Sequence, residues 1–126
     1  MKELIKFFEA QPTTKELSNE TGKKVTHIHS NKNVKCNKMA QAYQKDVLSW
    51  QLKNFLAEIK ANHKDLIDPI DKILLETPKS NEVLGNFIGV TKQAIGTAKK
   101  RREEKGAYAY NYYLLLWRVD KIKSMI

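Results

Sequence analysis

One cysteine, three prolines and five glycines are all that the 126 residues hold of the types that staple or break a chain. A lone Cys36 cannot close an internal disulfide, so nothing demands an oxidising compartment, and a reducing cytoplasm is the expected setting. Long hydrophobic runs are missing too. Nothing approaches the roughly 18 uninterrupted apolar residues of a membrane span. Residues 1–17 are broken by Glu3, Glu9 and Glu16 and lack the apolar centre of a signal peptide. Strand patterns are nearly absent, and there is neither a solenoid-type repeat nor a low-complexity linker.

What the chain does carry is charge of one sign. The formal net charge is +9, unevenly spread: residues 1–40 hold 8 basic and 4 acidic side chains, residues 41–78 hold 5 and 6, and residues 79–126 hold 10 and 4. Basic ends around a neutral middle predict two polyanion-facing surfaces rather than a uniformly basic shell. Apolar residues, at 41%, suffice for one modest core in a chain of about one domain.

Helical spacing fills the rest. Leu4, Ile5, Phe7 and Phe8 predict a short helix ended by Pro12. Thr13 or Thr14 caps a second, which stops at Gly22, and a third runs from Val25 into the Asn-rich residues 31–37. Residues 38–62 form the longest helical stretch, with Leu48, Leu52, Phe55 and Ile59 on its buried face and Val47 and Trp50 widening it. Asp68-Pro69 reads as a cap followed by proline at the first helical position, and that helix ends before Pro78. Ser80 caps the next helix, which ends at Gly89. Thr91 caps another, expected to run through the charged residues 99–105 to Gly106. A final helix places Tyr108, Tyr112, Leu115, Val119, Ile122 and Ile126 on one apolar stripe, which leaves Tyr110, Tyr113 and Trp117 for a partner interface. The expected fold is all-α: a compact bundle of seven or eight helices, divided at Pro78-Lys79-Ser80 into residues 1–78 and 79–126.

Residues 81–102 have the pattern of a helix-turn-helix. Gly89 supplies the positive φ of the tight turn, Gly85 the small residue at the crossing, and Leu84, Ile88, Val90 and Ile95 the apolar lock. Ala98 is smaller than the apolar residue usual there. The segment GVTKQAIGTAKKR resembles the recognition helix of Cro-like and lambda-repressor-like phage regulators, and the trailing YAYNYYLLLWRVDKIK is similar to the helix that packs behind it. The resemblance covers about a fifth of the chain. It implies that the second helix enters the major groove, with Thr91, Lys92, Gln93 and Thr97 facing base edges. Gln93 can pair bidentately with adenine, and Lys92 suits guanine or phosphate. Lys99, Lys100, Arg101 and Arg102 would hold phosphate. Gly96 departs from the pattern, since glycine weakens a helix interior.

A second candidate lies at the other basic end. In TTKELSNETGKKVTHIHSNK, residues Leu17, Ser18, Gly22, Val25 and Ile28 stand at hairpin positions. The run T-x-E-L-x-x-x-T-G-K with Ile28 downstream resembles the N-terminal region of Rha-type phage regulatory proteins over about 20 residues. Lys23 falls where an apolar residue is usual. The bland alternative is a small helical hairpin with solvated lysines. As a DNA-reading unit it would use Lys23, Lys24, Thr26, His27 and Lys32.

Other chemistry finds little footing. His27, His29, Cys36 and His63 lack the tight ligand pairs of a zinc site. Asp65, Asp68 and Asp71 share a spacing but no nucleophile or phosphate-cradling loop accompanies them, so neither catalysis nor a cofactor is expected. The expectation is a small sequence-specific binder of double-stranded DNA, a phage or mobile-element transcriptional regulator working as a homodimer or through both basic ends. Two alternatives stay open: a protein-interaction module or inhibitor that uses the hairpins as scaffold, and a DNA-packaging or recombination accessory protein.

Overall fold

The computed structural model describes residues 2–33, 37–104 and 108–126, and of residues 2, 33 and 37–40 the backbone alone. Cys36, Lys105 and Gly106 lie outside the described residues. Those described form eight α-helices and no strand, as the sequence pattern leads one to expect. Helix α1 (Lys2–Ile5) runs on through a 3-10 turn, Lys6–Phe8, before Pro12. Then come α2 (Thr14–Thr21), α3 (Val25–Asn33) and the 26-residue α4 (Asn37–Asn62). A 3-10 turn, Lys64–Leu66, leads into α5 (Ile67–Leu75), followed by α6 (Asn81–Ile88), α7 (Lys92–Lys100) and α8 (Ala109–Met125).

The larger core gathers around Phe55 of α4, which is fully buried together with Ile59, Leu4, Ile70 and Ile122. Phe8 packs on Phe55 at a centroid distance of 4.9 Å, and Phe7 meets it edge-on at 6.4 Å. Each fully buried side chain of this size stabilises the fold by about 1.5–3 kcal/mol. Helices α2 and α3 pack on each other and on α4, with Leu17, Ile28 and Ala42 buried. Lys53 of α4 pairs with Glu20 of α2 at 2.7 Å, and the buried Gln51 donates to the Ala10 carbonyl at 2.7 Å, fixing the segment before α2.

Helix α5 starts two residues earlier than the Asp68-Pro69 pair suggests, at Ile67. Its N-cap is Leu66, without a side-chain cap, because the preceding 3-10 turn feeds straight into it. Asp68 and Pro69 therefore sit within the first turn, where a missing amide proton is tolerated.

Helix α8 is apolar on two sides. Val119 and Ile122 are buried in the larger core, with Tyr112, Leu115 and Ile126 packed beside them. Tyr110 is buried on the other side against Leu84 and Ile95, flanked by Tyr113, Leu114 and Trp117. Tyr110 is thus an internal contact rather than the partner-facing residue expected from a one-striped helix, while Tyr113 and Trp117, half-buried, pack beside it. Helix α8 packs against helices on both sides of the Pro78-Lys79-Ser80 connection, contributing side chains to both cores. The connection itself is pinned to α8, where Arg118 donates to the Glu76 carbonyl at 2.8 Å and Lys121 pairs with the Glu76 carboxylate. No helix among the described residues is long and apolar enough to cross a membrane.

Candidate nucleic-acid interface

The α6–α7 hairpin follows from four local features. Ser80 Oγ accepts the Val83 amide at 3.2 Å and Thr91 Oγ1 the Ala94 amide at 3.1 Å, so both helices start on a hydroxyl cap. Gly89 holds φ at 95°, a left-handed conformation open to glycine at little steric cost. Its amide and that of Val90 both donate to the Gly85 carbonyl, at 2.7 and 2.9 Å. A Cβ on Gly85 would lie 2.6 Å from the Val90 carbonyl oxygen, so only glycine lets the turn close this tightly. Ile95 and Leu84, both essentially fully buried, lock the helices against Tyr110.

That lock sets the outward face of α7. With Ile95 pointing in, helical rotation directs Gln93, Thr97 and Lys100 to within about 40° of the opposite direction. Thr91, Lys92, Gln93, Thr97, Lys99, Lys100, Arg101 and Arg102 are all exposed. They do not form one equivalent set. Lys99 Nζ and the Arg102 guanidinium stand 5.9 and 5.8 Å from the Tyr110 ring centroid, on the flank nearer α8. Arg101 pairs with Glu104 at 3.0 Å and Arg102 with Glu103 at 3.7 Å. These contacts lie on a turn rather than on the helix, because α7 ends at Lys100 instead of continuing through residue 105. Lys79, Ser80, Asn81, Lys99 and Arg102 border a polar groove of about 170 Å³ where α6 begins. Lys79 had no motif to mark it; its place at this groove comes from the crossing of the two helices.

Gly96 meets only the Asn81 side-chain amide, at 3.4 Å from where a Cβ would stand. No backbone approaches it, so the fold does not require glycine there.

The α2–α3 hairpin is built on the same register. Gly22 (φ 76°) and Gly89 (φ 95°) are 67 positions apart (89 less 22). At that offset Thr13 matches Ser80 as cap, Leu17 matches Leu84 and Ile28 matches Ile95, each of these apolar residues at most 1% exposed. Thr13 completes a reciprocal capping box with Glu16, at 3.0 and 3.1 Å. Ser18 replaces Gly85, and its hydroxyl donates to the Lys23 carbonyl at 2.6 Å, the position that Val90 holds in the other hairpin. Lys24, Thr26, His27 and Lys32 are exposed. Lys23 is not: it turns inward, pairs with Asp46 of α4 at 2.7 Å and lies 5.5 Å from the Tyr108 ring centroid. The hairpin geometry aims that position at the core, so a lysine there takes an internal counter-ion and is withdrawn from a DNA-contact role. Val25 and Ser30, also exposed on α3, complete its outer face; the 67-residue register, legible in the sequence, points to Ser30 as the match of Thr97.

No family model, curated protein or solved structure matches the chain.

Proposed function

We propose that the chain binds double-stranded DNA sequence-specifically, with α7 laid in the major groove, as a small regulator of the phage or mobile-element kind. The observation that carries this reading is the outward row Gln93, Thr97 and Lys100, exposed on a helix whose inner face is locked by Ile95 and whose turn closes over Gly85. A groove-reading helix needs this combination: a rigid mount and polar side chains of suitable length on the far side. Gln93 offers the paired donor and acceptor that adenine presents in return, and Lys92 at the first turn reaches guanine or phosphate. Lys99, Lys100, Arg101 and Arg102, with Lys79 across the groove, supply phosphate contacts, which hold register without reading sequence. The pairs of Arg101 and Arg102 with glutamates are exposed, and weak enough for phosphate to displace.

Selection of duplexes from a random library tests the reading. Enrichment of a motif is the expected result, and Gln93→Ala should lower preference at one adenine position while leaving affinity for random DNA nearly unchanged. Equal loss on selected and random duplexes removes Gln93 from base reading. A second reading, a protein-interaction module, is favoured by Val83 and Phe87, both 42% exposed and four residues apart on α6. Lack of any enrichment, together with no duplex affinity at low salt, would decide for it.

A further inference from the structure

We infer that the α2–α3 hairpin is a second duplex-DNA-binding head, so that a single chain grips DNA through two rigidly joined units. The inference rests on the DNA-binding reading of α7 and goes beyond it in assigning a second site and removing the need for a second copy of the chain. Three observations lead to it. The first is the shared register: cap, buried leucine, small crossing residue, left-handed glycine and buried isoleucine recur at one offset, which aims α3 as α7 is aimed.

The second is charge. Residues 21–45 carry six lysines and no acidic side chain, and residues 83–102 carry five lysines and arginines and none. Each of these acid-free windows spans the second helix of a hairpin. On α3 the exposed side chains suit a groove: Thr26 and Ser30 point away from Ile28 with hydroxyls that donate or accept. Val25, 45% exposed where Lys92 stands in the other head, offers methyl groups to a thymine. Lys24 and Lys32 flank this face and suit phosphates.

The third is the joint. Lys23, in the turn between α2 and α3, is held by Asp46 and lies over Tyr108, the residue that opens α8. Gln41 of α4 donates to the Tyr113 hydroxyl at 3.0 Å, and Tyr113 packs on the core of the other hairpin. The two heads are therefore fixed to one frame, and binding by the second needs no further ordering of the chain.

Fluorescence anisotropy with a labelled duplex at moderate salt tests this on the full chain, with circular dichroism confirming helix content. Lys24→Glu with Lys32→Glu should weaken binding by about tenfold or more, as should Lys92→Glu with Lys100→Glu, while the charge-matched Lys64→Glu with Lys72→Glu stays within about threefold. If the first pair disturbs folding, Lys24→Ala with Lys32→Ala should still weaken binding more than Lys64→Ala with Lys72→Ala. Loss no greater than in the matched control overturns the second head, and a concurrent loss in the Lys92/Lys100 pair leaves the α7 reading standing. Loss confined to the Lys24/Lys32 pair overturns both the α7 reading and the two-headed grip. No duplex binding by the wild type overturns both as well.

Discussion

Two glycines of the α6–α7 hairpin should respond to alanine with opposite signs. In Gly85→Ala the new Cβ meets the Val90 carbonyl oxygen at 2.6 Å and the Thr91 carbonyl carbon at 3.3 Å, both backbone. The turn cannot easily yield, because the Gly89 and Val90 amides are tied to the Gly85 carbonyl at 2.7 and 2.9 Å. Overpacking of this kind costs about 1–3 kcal/mol, and the rigid turn argues for the upper end. Alanine returns about 1 kcal/mol of helix propensity, so the net loss should be about 2 kcal/mol. Gly96→Ala carries only the propensity gain, because its Cβ meets a movable Asn81 amide at 3.4 Å; it should stabilise by about 0.5–1 kcal/mol. Urea unfolding followed by circular dichroism reads both. With a slope of about 1–3 kcal/mol per molar urea, Gly85→Ala should lower the midpoint by roughly 0.7–2 M, and Gly96→Ala should raise it. A Gly85→Ala protein as stable as the wild type, or a Gly96→Ala protein that loses stability, would refute the description of this crossing.

Two other predictions concern charge. Lys23→Met should destabilise by about 1–3 kcal/mol, between the values for exposed and buried pairs, because it leaves Asp46 without its counter-ion. Adding Asp46→Leu should recover most of that in a double-mutant cycle, and neither variant should show the loss of DNA affinity expected of Lys24→Glu with Lys32→Glu. Burial, with the neighbouring Tyr113 adding to it, holds the Tyr112 phenol above its ordinary value. A raised folded value means that its contribution is fully present below the unfolded value of about 10 and is lost as pH rises through the folded one. Thermal midpoints measured from pH 8 to beyond 11 should therefore fall less steeply in Tyr112→Phe than in the wild type; identical slopes would remove Tyr112 from the alkaline transition.

The parts of this molecule legible in its sequence are those decided within a few residues. Caps at Thr13, Ser80 and Thr91, left-handed turns at Gly22 and Gly89, and the buried faces of α4 and α6 follow from local spacing, and each stands where that spacing puts it. What local pattern could not carry is decided by distant packing. Tyr110 reads as surface only if α8 has one apolar side, whereas α8 is wedged between two cores. Lys23 reads as a DNA contact until Asp46, on another helix, is placed beside it. Asp68-Pro69 reads as a helix start until the 3-10 turn before it leads into a helix that already begins at Ile67. Residues 101–103 belong to the charged run in sequence but to a turn in space.

The dependence of duplex affinity on salt tests the central claim, that α7 faces DNA, most directly. If four of the exposed cations at Lys92, Lys99, Lys100, Arg101 and Arg102 each neutralise one phosphate, α7 alone should contribute about −3.6 to the slope of log affinity against log salt, and contacts by Lys24 and Lys32 would add to it. The α7 contribution is roughly 150-fold between about 50 and 200 mM. Lys92→Ala with Lys100→Ala should reduce the slope by about 2. An affinity indifferent to salt, or a slope that survives loss of both lysines, would contradict the account.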